Sequence, residues 1–515
     1  MAETYAIELK NITKTFGEVV ANKNISIRLK HGEVLALLGE NGSGKTTLMN
    51  MLSGIYFPDH GTISVDGEGV VIRSPKDAFR LGIGMIHQHF KLVELFTAAQ
   101  NIVLGLPGKM MLNMKASNEK IQRLIDKYGF ELDLNKKIYE MSVSEKQTVE
   151  IVKMLYRGAK ILILDEPTAV LTPQETQRLF AVLKKMRDAG KAIIIITHKL
   201  HEVLELSDTV AVLRKGEYIG SVKTSEATEN SLTEMMVGEA VSLNIGRTEP
   251  KNPREMLTVK NLTCFNEDGV KTLDNISFSA FGGEILGIAG VAGSGQKELL
   301  ESIAGLQPCE DGSSILYTAT DSEEPVELLG KSVLQIKQMG ISLAFVPEDR
   351  LGMGLVGSMD MVDNMLLRNY NNGRSIFTEK KQPRKLALEI KKRLGVVTPG
   401  ISTPVRRLSG GNVQKVLVGR EIALEPKVLM TAYAVRGLDI NTSYTIYNLL
   451  NEQKEKGIAV IYVGEDLDVL LELCDRVLVL CGGTVSGIVD ARTATKEQVG
   501  LLMTKKNTEG GNTNG

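Results

Sequence analysis

The chain has 515 residues, 43% apolar and 24% charged, with a net charge of −1. That length exceeds one ordinary core and predicts two or more domains, while the near-zero charge argues against a nucleic-acid partner held by bulk electrostatics. The four cysteines, Cys264, Cys309, Cys474 and Cys481, all lie in the second half without C-x-x-C spacing, which argues against a zinc or disulfide framework and for a reducing compartment.

The first residues, Met-Ala-Glu-Thr-Tyr, are polar and lack the apolar centre of a signal peptide. No run approaches the roughly 18 apolar residues that span a bilayer, so any membrane role is expected to be peripheral. Phe16 lies ahead of the first apolar strand and either stacks on a base or belongs to the core. Val34 to Leu38 reads as a buried strand, and Leu48 to Leu52 as the start of a helix. Between them stand Gly39, Glu40, Asn41, Gly42, Ser43, Gly44, Lys45, Thr46 and Thr47: a G-x-x-x-x-G-K-T loop in its strand–helix setting. Its glycines let successive N–H groups point at one anion, and the helix adds its positive end. Lys45 supplies a point charge for the β- and γ-phosphates, and the Thr46 hydroxyl can ligate Mg²⁺.

Gln88 follows another short apolar run, placed to reach both metal and water. From there to Arg157 the pattern turns helical, predicting a helical subdomain inserted into an α/β core. The runs KILILDEP and KAIIIITH read as strands buried on both faces. Asp165 ends the first of these and suits the Mg²⁺ shell. Glu166 next to it suits the orientation or deprotonation of the attacking water. His198 follows the second strand within reach of a γ-phosphate.

Residues 241–255 are polar, hold two prolines and lack periodicity, so they read as a linker. It separates two copies of one unit, residues 1–240 and 256–503. K-N-[IL]-T, N-I-S, G-E-[VI]-L and the loop glycines recur in the second copy, the glycines at Gly290, Gly293 and Gly295. The second copy is about 16 residues longer, an excess assigned to a surface insertion around 317–330. Residues 504–515 are expected to form a disordered tail.

Together with Leu408, Ser409, Gly410, Gly411 and Asn412, the loop residues, Gln88, Asp165, Glu166 and His198 resemble the motif set of ABC-type ATPases. The resemblance covers roughly residues 5–500. Tandem copies with the stretches GENGSGKTTLMNMLSG, FVPEDR and LSGGNVQKV are similar to the single-chain ATPases of bacterial simple-sugar and nucleoside importers. HQHF and VVTPG lean toward the nucleoside branch, with a monosaccharide importer of ribose or galactose type as the alternative. A soluble tandem ATPase working on ribosomes or DNA is the remote one. The resemblance implies two α/β P-loop domains, each with an inserted helical subdomain. It implies ATP and Mg²⁺, two integral-membrane permease subunits, an extracytoplasmic substrate-binding protein, and a peripheral position on the cytoplasmic membrane face. The permeases' cytoplasmic helices are expected in grooves near 89–101 and 349–364.

The family's head-to-tail geometry implies that each ATP is held by one copy's phosphate loop and the other copy's LSGGQ-type signature. The copies differ in opposite ways. The second has Gln296 for Lys45, Lys297 for Thr46, Ala432 and Tyr433 for Asp165 and Glu166, Glu348 for Gln88, and Glu465 for His198. Its two added glutamates are expected to repel phosphate. The first keeps the loop chemistry, but reads Ser142, Val143, Ser144 and Glu145 where the second has Ser409, Gly410, Gly411 and Asn412. All the losses fall on one composite site, which predicts one hydrolytic site per chain. That site would join the first copy's loop to Ser409, Gly410 and Gly411.

Overall fold

Strand-forming β-branched runs and glycine-punctuated turns alternate with capped helices along the whole chain. The structure, a computed structural model, describes residues 4–87, 90–106, 113–169, 171–238, 244–250, 253–266, 268–320, 322, 324–368 and 379–505. Two units emerge, Met1–Ser242 and Leu243–Gly515.

The first unit runs β1 (Tyr5–Phe16), β2 (Val19–Lys30), β3 (Val34–Leu38), α1 (Lys45–Leu52), β4 (His60–Val65), β5 (Glu68–Val70), α2 (Pro75–Arg80), β6 (Ile83–Ile86), α3 (Ala98–Val103), α4 (Met114–Tyr128), α5 (Val143–Tyr156), β7 (Ile161–Asp165), α6 (Pro173–Asp188), β8 (Ala192–Ile196), α7 (Leu200–Leu206), β9 (Thr209–Arg214), β10 (Glu217–Lys223) and α8 (Glu229–Val237). Its ten strands are ordered β5-β4-β1-β2-β10-β9-β3-β8-β7-β6. The stretch β9-β3-β8-β7-β6 is parallel throughout. Every residue of β3 and β8 is buried, because helices cover both faces of a parallel sheet and leave no polar side for the strand to alternate toward. Each such Ile or Leu contributes roughly 1.5–3 kcal/mol by leaving water.

Helices α3, α4 and α5 form the insertion between β6 and β7, as the periodicity predicted. Their ends are set by side chains. Thr97 and Ser142 cap α3 and α5 in reciprocal boxes with Gln100 and Glu145, and Asn113 caps α4. Each cap satisfies backbone donors that an isolated helix leaves open.

The second unit runs β11 (Arg254–Phe265), β12 (Lys271–Gly282), β13 (Ile285–Gly290), α9 (Gln296–Ile303), β14 (Ser314–Tyr317), β15 (Val326–Glu327), α10 (Val333–Gln338), β16 (Leu343–Val346), α11 (Met361–Leu366), α12 (Lys381–Arg393), α13 (Gly410–Ile422), β17 (Val428–Ala432), α14 (Ile440–Glu455), β18 (Ala459–Val463), α15 (Leu467–Leu473), β19 (Arg476–Cys481), β20 (Thr484–Asp490) and α16 (Lys496–Thr504). It repeats the first in two sheets, β12-β11-β14-β15 and β16-β17-β18-β13-β19-β20. The acidic stretch read as a surface insertion is partly built in: β15 pairs antiparallel with β14 at the sheet edge.

Two expectations change at the unit boundaries. Residues 244–250 do not hang free but dock on the second unit. Ile245 is buried, and its carbonyl accepts from Asn451 Nδ2 at 3.0 Å. Arg247 donates to the carbonyls of Leu471 (3.1 Å) and Cys474 (2.8 Å). The segment is held by hydrogen bonds to side chains and carbonyls, a kind of packing that leaves no apolar period to read. At the other end, α16 includes Thr504, and the Lys505 carbonyl accepts from Ser486 Oγ at 2.7 Å. The rest of the expected tail lies outside the described residues.

Candidate active site

The parallel strands bring three loops of the first unit together. β8 lies between β3 and β7, so the loops leaving the carboxyl ends of all three are neighbours. That is where open α/β sheets bind ligands. They carry the phosphate loop, the Asp165–Glu166 pair and His198.

Lys45 opens α1 and is buried. Its Nζ donates to the carbonyls of Gly39 (2.6 Å) and Glu40 (3.0 Å), which holds the ammonium inside the loop it serves. Burial pushes its pKa down, opposed by the charges of Glu166, Asp165 and Glu40. Gly44 caps the helix at φ 94°, and a Cβ there would lie 2.4 Å from both Ala21 O and Asn22 Nδ2. Glycine is therefore required on two counts, backbone conformation and space. Asn22 Nδ2 also donates to the Gly44 carbonyl at 3.1 Å. Asn41 and Gly42 are exposed at the loop tip, Thr46 is exposed and Thr47 half-buried.

Asp165 is the last residue of β7. Its carboxyl is pushed up to about 6, first by burial and then by the neighbouring Glu166; Lys45 and a hydrogen bond from Thr46 pull it back. Glu166 sits in the left-handed region at φ 48°, its N–H donating to the Ile196 carbonyl at 2.9 Å. This strained turn aims its carboxylate at the neighbouring loop, where His198 Nδ1 lies 3.0 Å from Glu166 Oε1. The histidine contact, more than any other group, holds the Glu166 pKa below its usual value.

These residues suit a polyphosphate with a divalent cation. Ser43 Oγ is buried with no hydrogen-bond partner among the described residues. A hydroxyl and a carboxyl, from Thr46 and Asp165, meet beside the loop, and burial beside Glu166 raises the Asp165 pKa further than Lys45 lowers it, leaving room for a cation's charge. Gln88 lies outside the described residues.

Sequence reasoning missed a buried brace behind Glu166 and His198. Glu202, on α7, accepts from Thr168 Oγ1 at 2.6 Å and Thr197 Oγ1 at 3.3 Å. Lys199 Nζ sits 3.2 Å from Glu202 Oε1 and donates to the Thr168 carbonyl at 3.2 Å. The brace ties the loop after Glu166 to the loop that carries His198. Its members are scattered over two loops, so no local motif announces them. A charged residue at an apolar helix position was the one available signal.

The second unit keeps the backbone and changes the chemistry. Tyr433 repeats the left-handed turn at φ 50°, with its N–H on the Val463 carbonyl at 3.0 Å. Gln296 takes Lys45's place inside the loop, and its Nε2 donates to Val291 O at 3.2 Å. Lys297 instead faces outward toward Glu301 at 3.7 Å. Counted from the strand ends Asp165 and Ala432, Val435, Gly464 and Val469 stand where Thr168, Thr197 and Glu202 form the brace, so the brace is absent. The expected repulsion by Glu348 and Glu465 is partly offset: Arg436 bridges both, with Nη1 2.5 Å from Glu348 Oε1 and Nε 3.1 Å from Glu465 Oε1.

The two signature segments also differ in detail. Ser409 caps α13, its Oγ accepting from Asn412 Nδ2 at 2.8 Å, and Ser409 and Gly410 are exposed at the helix start. A Cβ at Gly411 would lie 3.1 Å from Asp439 Oδ2, so packing against the α14 cap restricts this position as well. In the first unit Glu145 occupies the Asn412 position. It is fixed by Lys136 at 2.7 Å and by the Ser142 N–H at 2.7 Å, which places a carboxylate at a helix N-terminus.

Phe16 is partly exposed, not core. It meets Tyr56 edge-on at a centroid distance of 5.1 Å. A cleft is lined by residues including Phe79, Met85, His87, Lys91, Leu104, Met154 and Arg157. Val93, Leu95 and Phe96 are exposed close by in sequence.

The family model described as ABC transporter matches the chain twice, over residues 22–169 and 273–431. The chain is 38% identical over 520 residues to the nucleoside import ATP-binding protein NupA of Lactococcus lactis, covering 100% of each. It is 39% identical to the guanosine import ATP-binding protein NupO of Bacillus subtilis, covering 97% of each. Against the ribose import ATP-binding protein RbsA of Corynebacterium glutamicum it is 36% identical, covering 96% of this chain and 92% of that protein.

Proposed function

The chain belongs to the ABC transporter family, as an ATPase of the fused, two-domain sugar and nucleoside import type, and from that premise we propose that it drives a nucleoside importer from a single competent ATP site. The observation that carries the single-site reading is the difference between the units. Lys45, Asp165, Glu166, His198 and their Glu202 brace stand together in the first. The second holds Gln296, Ala432, Tyr433 and Glu465 in the same places.

In this reading Gly39, Asn41, Gly42, Ser43, Gly44, Lys45 and Thr47 cradle the phosphates, and Phe16 stacks on the base. Thr46, Gln88 and Asp165 would hold Mg²⁺, which neutralises phosphate charge when bound. Glu166 takes the proton of the attacking water. His198 orients Glu166 and lies within reach of the γ-phosphate. Ser409, Gly410 and Gly411 of the second unit are signature residues of this reading, assigned to contact a γ-phosphate. That assignment rests on their keeping the glycines that the first unit's signature lacks. With Gln296 in place of the charge clamp, the second unit's phosphate loop binds nucleotide weakly or statically.

Two membrane permeases and an extracytoplasmic binding protein are the partners of this reading, with the chain at the cytoplasmic membrane face. No helix among the described residues is long and apolar enough to cross a membrane. The cleft at Phe79, His87 and Leu104 is the proposed seat of a permease helix, with Leu95 exposed a few residues along the chain.

The nucleoside branch is supported by the nucleoside and guanosine import relatives and by the HQHF and VVTPG stretches. Monosaccharide import is the second reading, favoured by the ribose relative. The deciding experiment is the ATPase rate of the chain reconstituted with its co-expressed permeases and binding protein. Stimulation by nucleosides alone is expected. Stimulation by ribose or galactose alone would transfer the assignment to sugars. Brisk turnover without stimulation by either would overturn the transport coupling of this site.

A further inference from the structure

The repeat offers a comparison at the junction between the first strand of each unit and the loop that follows the phosphate helix. In the first unit the Asp59 N–H donates to the Thr13 carbonyl at 2.8 Å. The junction is then closed by charge: Lys14 Nζ meets Asp59 Oδ1 at 2.8 Å, and Thr15 donates its N–H and hydroxyl to Asp59 Oδ2, each at 2.7 Å. The second unit repeats the backbone bond, with Glu310 N–H on the Thr263 carbonyl at 2.9 Å. Here Cys264 follows Thr263 as Lys14 follows Thr13, and Cys309 immediately precedes Glu310. The contact across the junction is between sulfurs: Cys264 Sγ lies 3.2 Å from Cys309 Sγ and 3.2 Å from Ser302 Oγ. Both cysteines are free thiols; Cys264 is buried and Cys309 half-buried.

We propose that Cys264 and Cys309 form a redox-sensitive pair that a peroxide converts to a disulfide, tying β11 to the loop after α9. The sulfurs need approach by only about 1 Å to reach the S–S length of roughly 2.05 Å. The half-buried, more accessible partner attacks first, and the hydrogen bond from Cys264 lowers its pKa, which favours its thiolate. The Cys309 thiolate attacks a peroxide oxygen, breaks the O–O bond and becomes a sulfenic acid, while the leaving hydroxide takes up a proton. The Cys264 sulfur then attacks the Cys309 sulfur and loses its proton, and hydroxide departs to form water. Two thiols and one hydrogen peroxide give one disulfide and two waters. Cys264 is the resolving thiol, because next to the thiolate its own proton is held tightly. Converting Cys309 to a neutral sulfenic acid removes that charge.

The test uses the full chain treated with hydrogen peroxide, blocked with N-ethylmaleimide and digested without reduction. Mass spectrometry is expected to find the Cys264 and Cys309 peptides linked, two hydrogens lighter than their sum, and separated again by dithiothreitol. Cys264→Ala should leave Cys309 oxidised to sulfinic acid or blocked by maleimide. Cys309→Ser should leave Cys264 unmodified until the chain is denatured. In the parent, the oxidised chain should melt at a higher temperature than the reduced one, a shift absent from both variants. Sulfinic acid on Cys309 of the parent with Cys264 still a thiol overturns the pairing. So does a parent whose two thiols are both recovered unlinked after peroxide.

Discussion

Nδ1 of His198 and Oε1 of Glu166 stand 3.0 Å apart, although 32 residues separate them in sequence. The contact joins the end of β7 to the end of β8, and it places an imidazole on the carboxylate proposed to accept a proton from water. Glu166→Gln removes the base while keeping size and hydrogen bonding. It should lower turnover by about 10²–10⁴ and leave nucleotide binding in place. ATPase rate beside binding of a fluorescent ATP analogue checks this; unchanged turnover would take Glu166 out of its role.

The asymmetry between the units is tested by paired substitutions. Lys45→Ala should abolish turnover, because the ammonium is the buried charge of the loop. Gln296→Ala should keep most of it, since the amide contributes one hydrogen bond to Val291. Equal losses in the two variants would refute a single competent site.

The Glu202 brace acts at one remove. Glu202→Ala leaves Thr168 and Thr197 without their buried acceptor and Lys199 without its counter-ion, at a cost of about 3–5 kcal/mol for a broken buried pair. Urea unfolding of the full chain should report this loss. The milder Glu202→Gln should restore part of the stability, and it separates folding from the accompanying fall in kcat. Val469→Ala, at the matching place in the second unit, should cost stability without lowering kcat beyond what unfolding explains.

Asp165 predicts a pH-dependent effect in nucleotide-free, chelator-treated protein. Its folded pKa, about 6, lies above the ordinary carboxylate value of roughly 3.9. Native protein therefore binds this proton more tightly than unfolded chain does. The stabilising contribution is full below pH 4 and is lost as pH rises through 6. Asp165→Asn removes the charged form, so it should raise stability by about 1–2 kcal/mol at pH 7.5, discounted for partial exposure. The difference from the parent should shrink to nothing near pH 4. A constant difference across that range would contradict the assignment.

Leu95 is 75% exposed beside the segment proposed to meet the permease. Leu95→Glu puts a charge on the exposed apolar part of the 89–101 segment, and it should reduce co-purification with the permease subunits several-fold. Undiminished recovery would move the docking surface elsewhere.

Much of the first unit's site could be read directly, because its parts are local. A phosphate loop needs consecutive glycines and a lysine between one strand and one helix, and all of that lies within nine residues. The placement of Asp165, Glu166 and His198 was legible for the same reason: each stands at or just after the end of an uninterrupted apolar strand. The repeat was legible because both copies keep the same turn residues. The tertiary structure decided what depends on distant residues meeting. Val469 and Glu202 look alike as positions on a short helix, and only the approach of Thr168 and Thr197 makes one a brace. Glu348 and Glu465 read as two charges that repel phosphate, and only the fold shows Arg436 bridging them and offsetting part of that charge. Residues 244–250 read as a tether because hydrogen bonds to carbonyls and side chains leave no period in the sequence. The pairing of Cys264 with Cys309 required the strand and the loop to meet in space. Local chain geometry writes itself into spacing, whereas contacts between separate segments are selected by packing, and a one-dimensional pattern does not record them.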